Sequence, residues 1–209
     1  MTHSNKANVL AESCLMLSGG ESAATANVVK MKPDRVRKRL RRPSLDMAQE
    51  YLRRGWQPLP LPYGEKAPKQ KDWQKLPITL ANVADYFERS QDVGLQLGMR
   101  SSGLTDVDID CPEALALADA LLPKTGAIFG RASKPSSHWL YETDLCGSET
   151  KAVIRFVEPA LGDPKETSST LTELRVGAGE KGAQTLAPSL IHPSGECVNW
   201  NKEGQPSPG

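Results

Sequence analysis

Leu104-Thr105-Asp106-Val107-Asp108-Ile109-Asp110-Cys111-Pro112 is the stretch on which the reading of this chain turns. Acidic and apolar residues alternate, and a proline suited to the first turn of a helix follows. In a strand, alternate residues share a face, so Asp106, Asp108 and Asp110 point one way while Val107 and Ile109 pack the other. Carboxylates two residues apart on a strand lie roughly 6.7 Å from one another. They repel by about 2.5 kcal/mol at an effective dielectric of 20, and by about 0.6 kcal/mol in bulk water. The row is therefore either a washed surface or a cation site. Pro112 favours the second, because α/β-type sheets build sites at strand-to-helix turns. Hard oxygen ligands suit Mg²⁺ or Mn²⁺ rather than zinc.

Working outward, a helix is predicted from Leu45 to Arg54, with Ser44 as its cap and Gly55 closing it. The prolines of Trp56-Gln57-Pro58-Leu59-Pro60-Leu61 exclude a central strand. A second helix is predicted from Thr79 to about Arg89, a strand over Val93–Gly98, and a third helix from Pro112 to Leu122. After that the signals are short β runs: Ile128–Arg131, His138–Tyr141, Val153–Phe156, Leu171–Val176, Thr185–Ala187 and Val198–Trp200. Helices early and short strands late imply an α+β domain with a mixed or antiparallel sheet. Three segments are expected: a disordered, basic tail over 1–43, a domain over 44–202, and a frayed end or linker stub over 203–209.

The 209 residues carry 26 Lys and Arg against 25 Asp and Glu, a net charge of +1 that identifies no partner. The distribution is uneven. Residues 32–42 hold seven cations, among them Arg37, Lys38, Arg39, Arg41 and Arg42, with a single anion, and the remainder is left at −5. Such a block is either a solvated tail or an arm for nucleic-acid phosphates. No apolar run approaches the ~20 residues of a membrane span. Four scattered cysteines, with no CxxC pair, argue against structural zinc and a disulfide scaffold and for a reducing, cytoplasmic setting.

Further chemistry lies in three later segments. In Ser136-Ser137-His138-Trp139, Ser136 and His138 are expected on one face. With Lys134 and Arg131 nearby they form a set of donors suited to phosphate oxygens. In Leu171-Thr172-Glu173-Leu174-Arg175, Glu173 and Arg175 share a face; Glu173 either completes a carboxylate set or forms an exposed cross-strand ion pair. His192, in Pro188-Ser189-Leu190-Ile191-His192-Pro193-Ser194-Gly195, reads as part of a shaped turn and is expected to be structural.

In order, these segments resemble the bifunctional DNA primase/polymerase N-terminal (prim-pol) domain of the archaeo-eukaryotic primase superfamily. The likeness runs over residues 45–200, from Gly55-Trp56 through Lys66, Pro68 and Trp73, Gly98, Asp108-Ile109-Asp110, Ser136-Ser137-His138 and Glu173-Leu174-Arg175 to His192-Pro193-Ser194-Gly195 and Trp200. The resemblance implies a two-part fold with an RRM-like catalytic sheet and an N-terminal helical α/β part. It also implies template-directed nucleotidyl transfer. By its D-x-D, S-x-H and later-acid pattern, Asp108, Asp110 and Glu173 would hold two Mg²⁺ or Mn²⁺ ions, and Ser136, His138 and Arg175 would bind the nucleotide, with His138 also catalytic. The implied partners are a single-stranded DNA template, NTP or dNTP, and a replicative helicase or replication protein. The alternatives are a catalytically inactive, primase-like binding module and a metal-dependent nuclease or phosphohydrolase.

Overall fold

The computed structural model describes residues 44–87, 91–147, 151–158, 169–179, 181–188, 190–201 and 207–209. The expected tail over 1–43, with Arg37, Lys38, Arg39, Arg41 and Arg42, lies outside the described residues. Helix α1 spans Ser44–Arg53 and buries Ala48 and Tyr51. It stops at Gly55, whose φ of +79° suits glycine. There Gly55 N–H donates to Leu52 O (3.1 Å) and Trp56 N–H to Tyr51 O (2.9 Å), closing the last carbonyls in a Schellman arrangement. Trp56, almost fully buried, then stacks on Tyr51 with ring centres 5.8 Å apart.

Strand β1 (Gln57–Pro62) pairs with β2 (Gln91–Gln96) alone, at the edge of a three-stranded sheet ordered β1-β2-β8, where β8 is Gln184–Leu186. Pro58, Pro60 and Pro62 alternate, so their missing donors all fall on one side of the strand, which an edge position tolerates. At the start of the pair, Ser101 is inserted between the strands: its hydroxyl accepts from Gln57 N–H (2.8 Å) and donates to Gln96 O. The helix expected from Thr79 to Arg89 is not formed over its described residues; a turn and one 3-10 segment, Val83–Asp85, stand in its place. The Asn82 side chain is responsible. Its Oδ1 accepts from Thr79 N–H (2.7 Å) and its Nδ2 donates to Pro77 O (2.9 Å), a local alternative to helical bonding.

The larger sheet has seven strands in the order β6-β7-β3-β5-β4-β10-β9, and every described pairing is antiparallel. Its members are β3 (Leu104–Ile109), β4 (Ile128–Arg131), β5 (Lys134–Glu142), β6 (Val153–Val157), β7 (Thr170–Arg175), β9 (Leu190–Ile191) and β10 (Cys197–Trp200). Helix α2 (Pro112–Leu121) follows β3 with proline in its first turn, and Cys111 Sγ accepts from Ala114 N–H. The chain is thus an α+β protein, with few helices and two antiparallel sheets.

Two apolar clusters fix the faces of the larger sheet. Val107, Ile109, Trp139 and Tyr141 gather with Ala118 of α2 on one side. Leu104, Phe129, Leu140 and Val198 join Ala48, Trp56, Leu59, Val93 and Leu95 on the other, between the two sheets. By alternation, Asp106 and Asp108 share the inner face with Leu104. β3 is an interior strand, flanked by β7 and β5, and is buried along its whole length, which removes the washed-surface reading of its carboxylates. Gly126 N–H donates to Ser207 O and Glu142 N–H to Gly209 O. Among the described residues, Cys111 and Cys146 are free.

Candidate functional site

Strand register builds the site. Asp108 lies directly opposite Glu173 on β7 and opposite His138 on β5; Glu173 in turn faces Arg155 on β6, and His138 faces Phe129 on β4. Directly opposed residues point to the same face. Arg155, Glu173, Asp108, His138 and Phe129 therefore form one transverse row on the inner face. Asp106 and Arg175 are paired one step along. The row opens into a cavity of about 330 Å³ between the sheets. The larger sheet also contributes Asp110, Lys134, Ser137 and Arg175 to its walls, and Gln184, Thr185 and Leu186 of β8 enclose it from the other side.

Burial grades the three aspartates. Their side chains are 0%, 9% and 34% exposed at Asp106, Asp108 and Asp110. Asp106 is thus sealed from any ligand, and its carboxylate instead meets His138 Nδ1 at 3.0 Å. Burial favours the neutral acid, but the charge and hydrogen bond of His138, with the charge of Arg175, outweigh it and hold the Asp106 pKa below its ordinary value. The imidazole shows the reciprocal effect. Burial opposes its charge, yet Asp106, followed by Asp108, raises its pKa. The ring also lies flat on Phe129, 4.5 Å away and only 4° from parallel.

Each carboxylate that reaches the cavity has a cationic partner. Lys134 Nζ lies 2.5 Å from Asp110 Oδ1 and 3.7 Å from Asp108 Oδ1. Arg175 Nη2 bridges Asp108 Oδ2 (2.5 Å) and Glu173 Oε2 (2.7 Å), and Arg155 Nε takes Glu173 Oε1 at 2.6 Å. Burial is the largest influence on Glu173 and raises its pKa, but hydrogen bonds from Arg155 and Arg175 bring it below the usual value. At Asp108 burial prevails and the pKa is raised, with Asp106 adding to it against His138, Arg175 and Lys134. One atom is left over. Asp108 Oδ1 is buried without a hydrogen-bond partner; His138 Nε2 at 3.6 Å and Lys134 at 3.7 Å are too distant. An unsatisfied carboxylate oxygen beside a cavity fits a hard cation in donor chemistry. Among the described residues no trio of His, Cys, Asp or Glu is gathered as a ready-made metal cage.

The structure therefore brings Asp108, Asp110, Glu173, His138 and Arg175 to one cavity, from strands widely separated in the chain. Ser136 is not among them. Between the Phe129–His138 and Arg131–Lys134 pairs β4 advances two residues and β5 four, and the surplus forms a bulge with Ser136 at φ +55°. The bulge lies against Gly130, where a Cβ would come within 2.4 Å of Lys134 O. Ser136 Oγ accepts from Asn201 Nδ2 (2.6 Å), and Ser137, buried, lines the cavity instead. The ligand set implied by the resemblance omits Asp106, and Arg155 is not among the residues expected from the sequence. Lys66 and His192 also line the cavity; of these, the motif order carried Lys66 without a role, and His192 was read as structural.

A family model described as bifunctional DNA primase/polymerase, N-terminal, matches residues 48–209. No curated protein matches the chain.

Proposed function

Because the chain belongs to the bifunctional DNA primase/polymerase N-terminal family, we propose that it is a nucleotidyltransferase that extends a nucleic-acid strand on a single-stranded DNA template. The single observation that carries this reading is the transverse row of Glu173, Asp108 and His138 opening into the cavity between the sheets. In the reaction, the 3′-oxygen of a primer or initiating nucleotide attacks the α-phosphorus of an incoming nucleoside triphosphate. The bond to pyrophosphate breaks, and the hydroxyl proton passes to solvent.

Lys134 and Arg175 bring positive charge to the cavity, and His138 presents Nε2 beside them while Asp106 fixes its ring through Nδ1. The two aspartates favour the charged imidazole, and in that form the ring donates to phosphate oxygens. Ser137, rather than Ser136, is the serine on the cavity wall. Asp108, with its unpartnered oxygen, together with Asp110 and Glu173, would hold divalent Mg²⁺ or Mn²⁺. Such ions, when bound, offset charge developing on the attacking and leaving oxygens. For the residues themselves, this requires Arg175 to exchange carboxylate for phosphate, a step suited to a planar guanidinium that pairs with either.

The test is incorporation of labelled nucleotides on a single-stranded template with Mg²⁺ or Mn²⁺, with and without a primer. The expected result is product from the wild type. Asp108→Ala should abolish synthesis while template binding stays within about threefold, since one carboxylate is not a phosphate contact. Loss of both together from a folded variant would mean that Asp108 is structural. A second reading, a primase-like module that binds nucleic acid without catalysis, is favoured by one observation: both Glu173 oxygens are already taken by arginines. It predicts template binding without incorporation under any of these conditions.

A further inference from the structure

The carboxylates that line the cavity are met by basic side chains one for one: Asp110 by Lys134, Asp108 by Arg175 and Glu173 by Arg155. Lys134 is held differently from Arg175. The guanidinium bridges two carboxylates, at 2.5 Å and 2.7 Å, whereas Lys134 Nζ makes one hydrogen bond among the described residues, to Asp110 Oδ1. Its backbone, by contrast, is fixed. Lys134 opens β5 directly after the turn at Ala132 and Ser133. Glu196 pins that turn, accepting from Ser133 N–H at 2.7 Å and from Arg131 Nε at 3.0 Å. From this anchor a side chain that is only 21% exposed carries the ammonium to the acid pair. A flexible four-carbon stem lets it leave by rotation of its own bonds, with the sheet unchanged.

The ammonium fits the pair unevenly. Nζ lies 2.5 Å from Asp110 Oδ1 but 3.7 Å from Asp108 Oδ1, and the second of these is the buried oxygen without a hydrogen-bond partner. The Asp108 side chain is 9% exposed, so that oxygen has lost hydration as well. An ammonium on a tether is not free to centre itself between two carboxylates. A hard cation carried by no side chain has no such constraint. Charge points the same way. With Lys134, Arg175 and Arg155 in place the three carboxylates are already compensated. A divalent ion that displaced none of them would add its whole charge to a neutralised, partly buried cluster.

We infer that Lys134 is a tethered counterion, which occupies the cation position beside Asp108 and Asp110 in the free protein and must swing out before a divalent ion is bound there. The inference rests on the reading of these two carboxylates as metal ligands, and adds an exchange to it. Metal loading is a competition between Lys134 and the ion. While no ion is bound, the ammonium offsets the repulsion between the two carboxylates. In this role Lys134 acts through the aspartates.

The experiment measures binding of Mn²⁺ alone to the full chain, without nucleotide, by electron paramagnetic resonance and calorimetry. Lys134→Met keeps the stem and removes the charge. It should bind Mn²⁺ roughly ten- to hundredfold more tightly than the wild type, as expected when one charge-assisted hydrogen bond no longer competes. A merely structural role would lower affinity on removal, not raise it. Lys134→Arg, which keeps the charge, should stay close to the wild type. Adding Asp110→Asn to Lys134→Met should abolish the gain, because it removes the ligand that the first change released. Without metal, Lys134→Met should melt below the wild type, and Mn²⁺ should raise its midpoint by more. If Lys134→Met does not fold, Lys134→Gln is read in its place. A folded variant with wild-type or weaker Mn²⁺ affinity overturns the exchange, and so does a gain that survives Asp110→Asn. Nucleotide incorporation by the wild type would then leave the transfer reading standing. A gain in affinity alongside a wild type that synthesises nothing supports the exchange and removes the transfer chemistry.

Discussion

His138 is gripped through Nδ1 by an aspartate with no exposed surface and is backed by the flat face of Phe129. Asp106→Ala would strand a buried imidazole and leave Arg175 one carboxylate short. Breaking a buried pair from one side typically costs about 3–5 kcal/mol, so urea denaturation of this variant should show a loss of that order, together with loss of synthesis. Glu196 supports a pH prediction. Hydrogen bonds from the side chain and backbone of Ser133, with Ser194 and Arg131, hold its pKa down at about 2 against an ordinary 4.5. A depressed folded pKa stabilises above the unfolded value and loses that contribution as pH falls through the folded one. Thermal melts should thus fall more steeply between pH 4.5 and about 2 for the wild type than for Glu196→Gln. Added salt should shrink the difference, because the carboxylate is exposed. At this scale Asp108, Glu173 and His138 were legible in the sequence, since alternation assigns faces. His192 was not, because a tight turn over residues 192–196 brings it to the cavity, and no periodicity reveals the shape of that turn.

Among the elements, those with local causes were the readable ones. β3 ends where alternation stops, α2 begins at Pro112, and α1 ends at Gly55. The helix expected from Thr79 failed for an equally local reason, a side chain at Asn82 that outcompetes the backbone. The bulge in β5 was hidden, because a serine at positive φ leaves no sequence signal and is held by distant partners, Gly130 and Asn201. A similarly close contact joins the ends of β2 and β7. Gly177, at φ +64°, would place a Cβ 2.3 Å from Leu97 O, and Gly98, at φ +90°, would place one 2.6 Å from Gly177 O. Gly177→Ala should therefore destabilise by about 1–3 kcal/mol from backbone conformation alone, with the clash adding to it, read as a lower denaturant midpoint.

Over the whole molecule, one apolar cluster draws on α1, both sheets and β10, and the three-stranded sheet combines β1 and β2 with β8 from late in the chain. Neither sheet can lose its packing without exposing the other. Tryptophan fluorescence, from Trp56, Trp73, Trp139 and Trp200, and far-UV circular dichroism should therefore report a single coincident unfolding transition. Trp56→Ala should shift both signals together by about 3–5 kcal/mol; separate midpoints would show two independent units. The α+β class could be read from element types, but strand order could not. Pairing β3 with β5 and β7 depends on contacts between residues thirty or more positions apart, which composition and periodicity do not encode. That pairing also carries a rule of parity. Glu173 has Thr172 and Leu174 as neighbours, so a single codon gained or lost within β7 would exchange the acid for a hydroxyl or a leucine and turn the carboxylate toward α2. Lineages of this protein should vary in loop length freely, but inside β3, β5 and β7 only by steps that preserve odd and even.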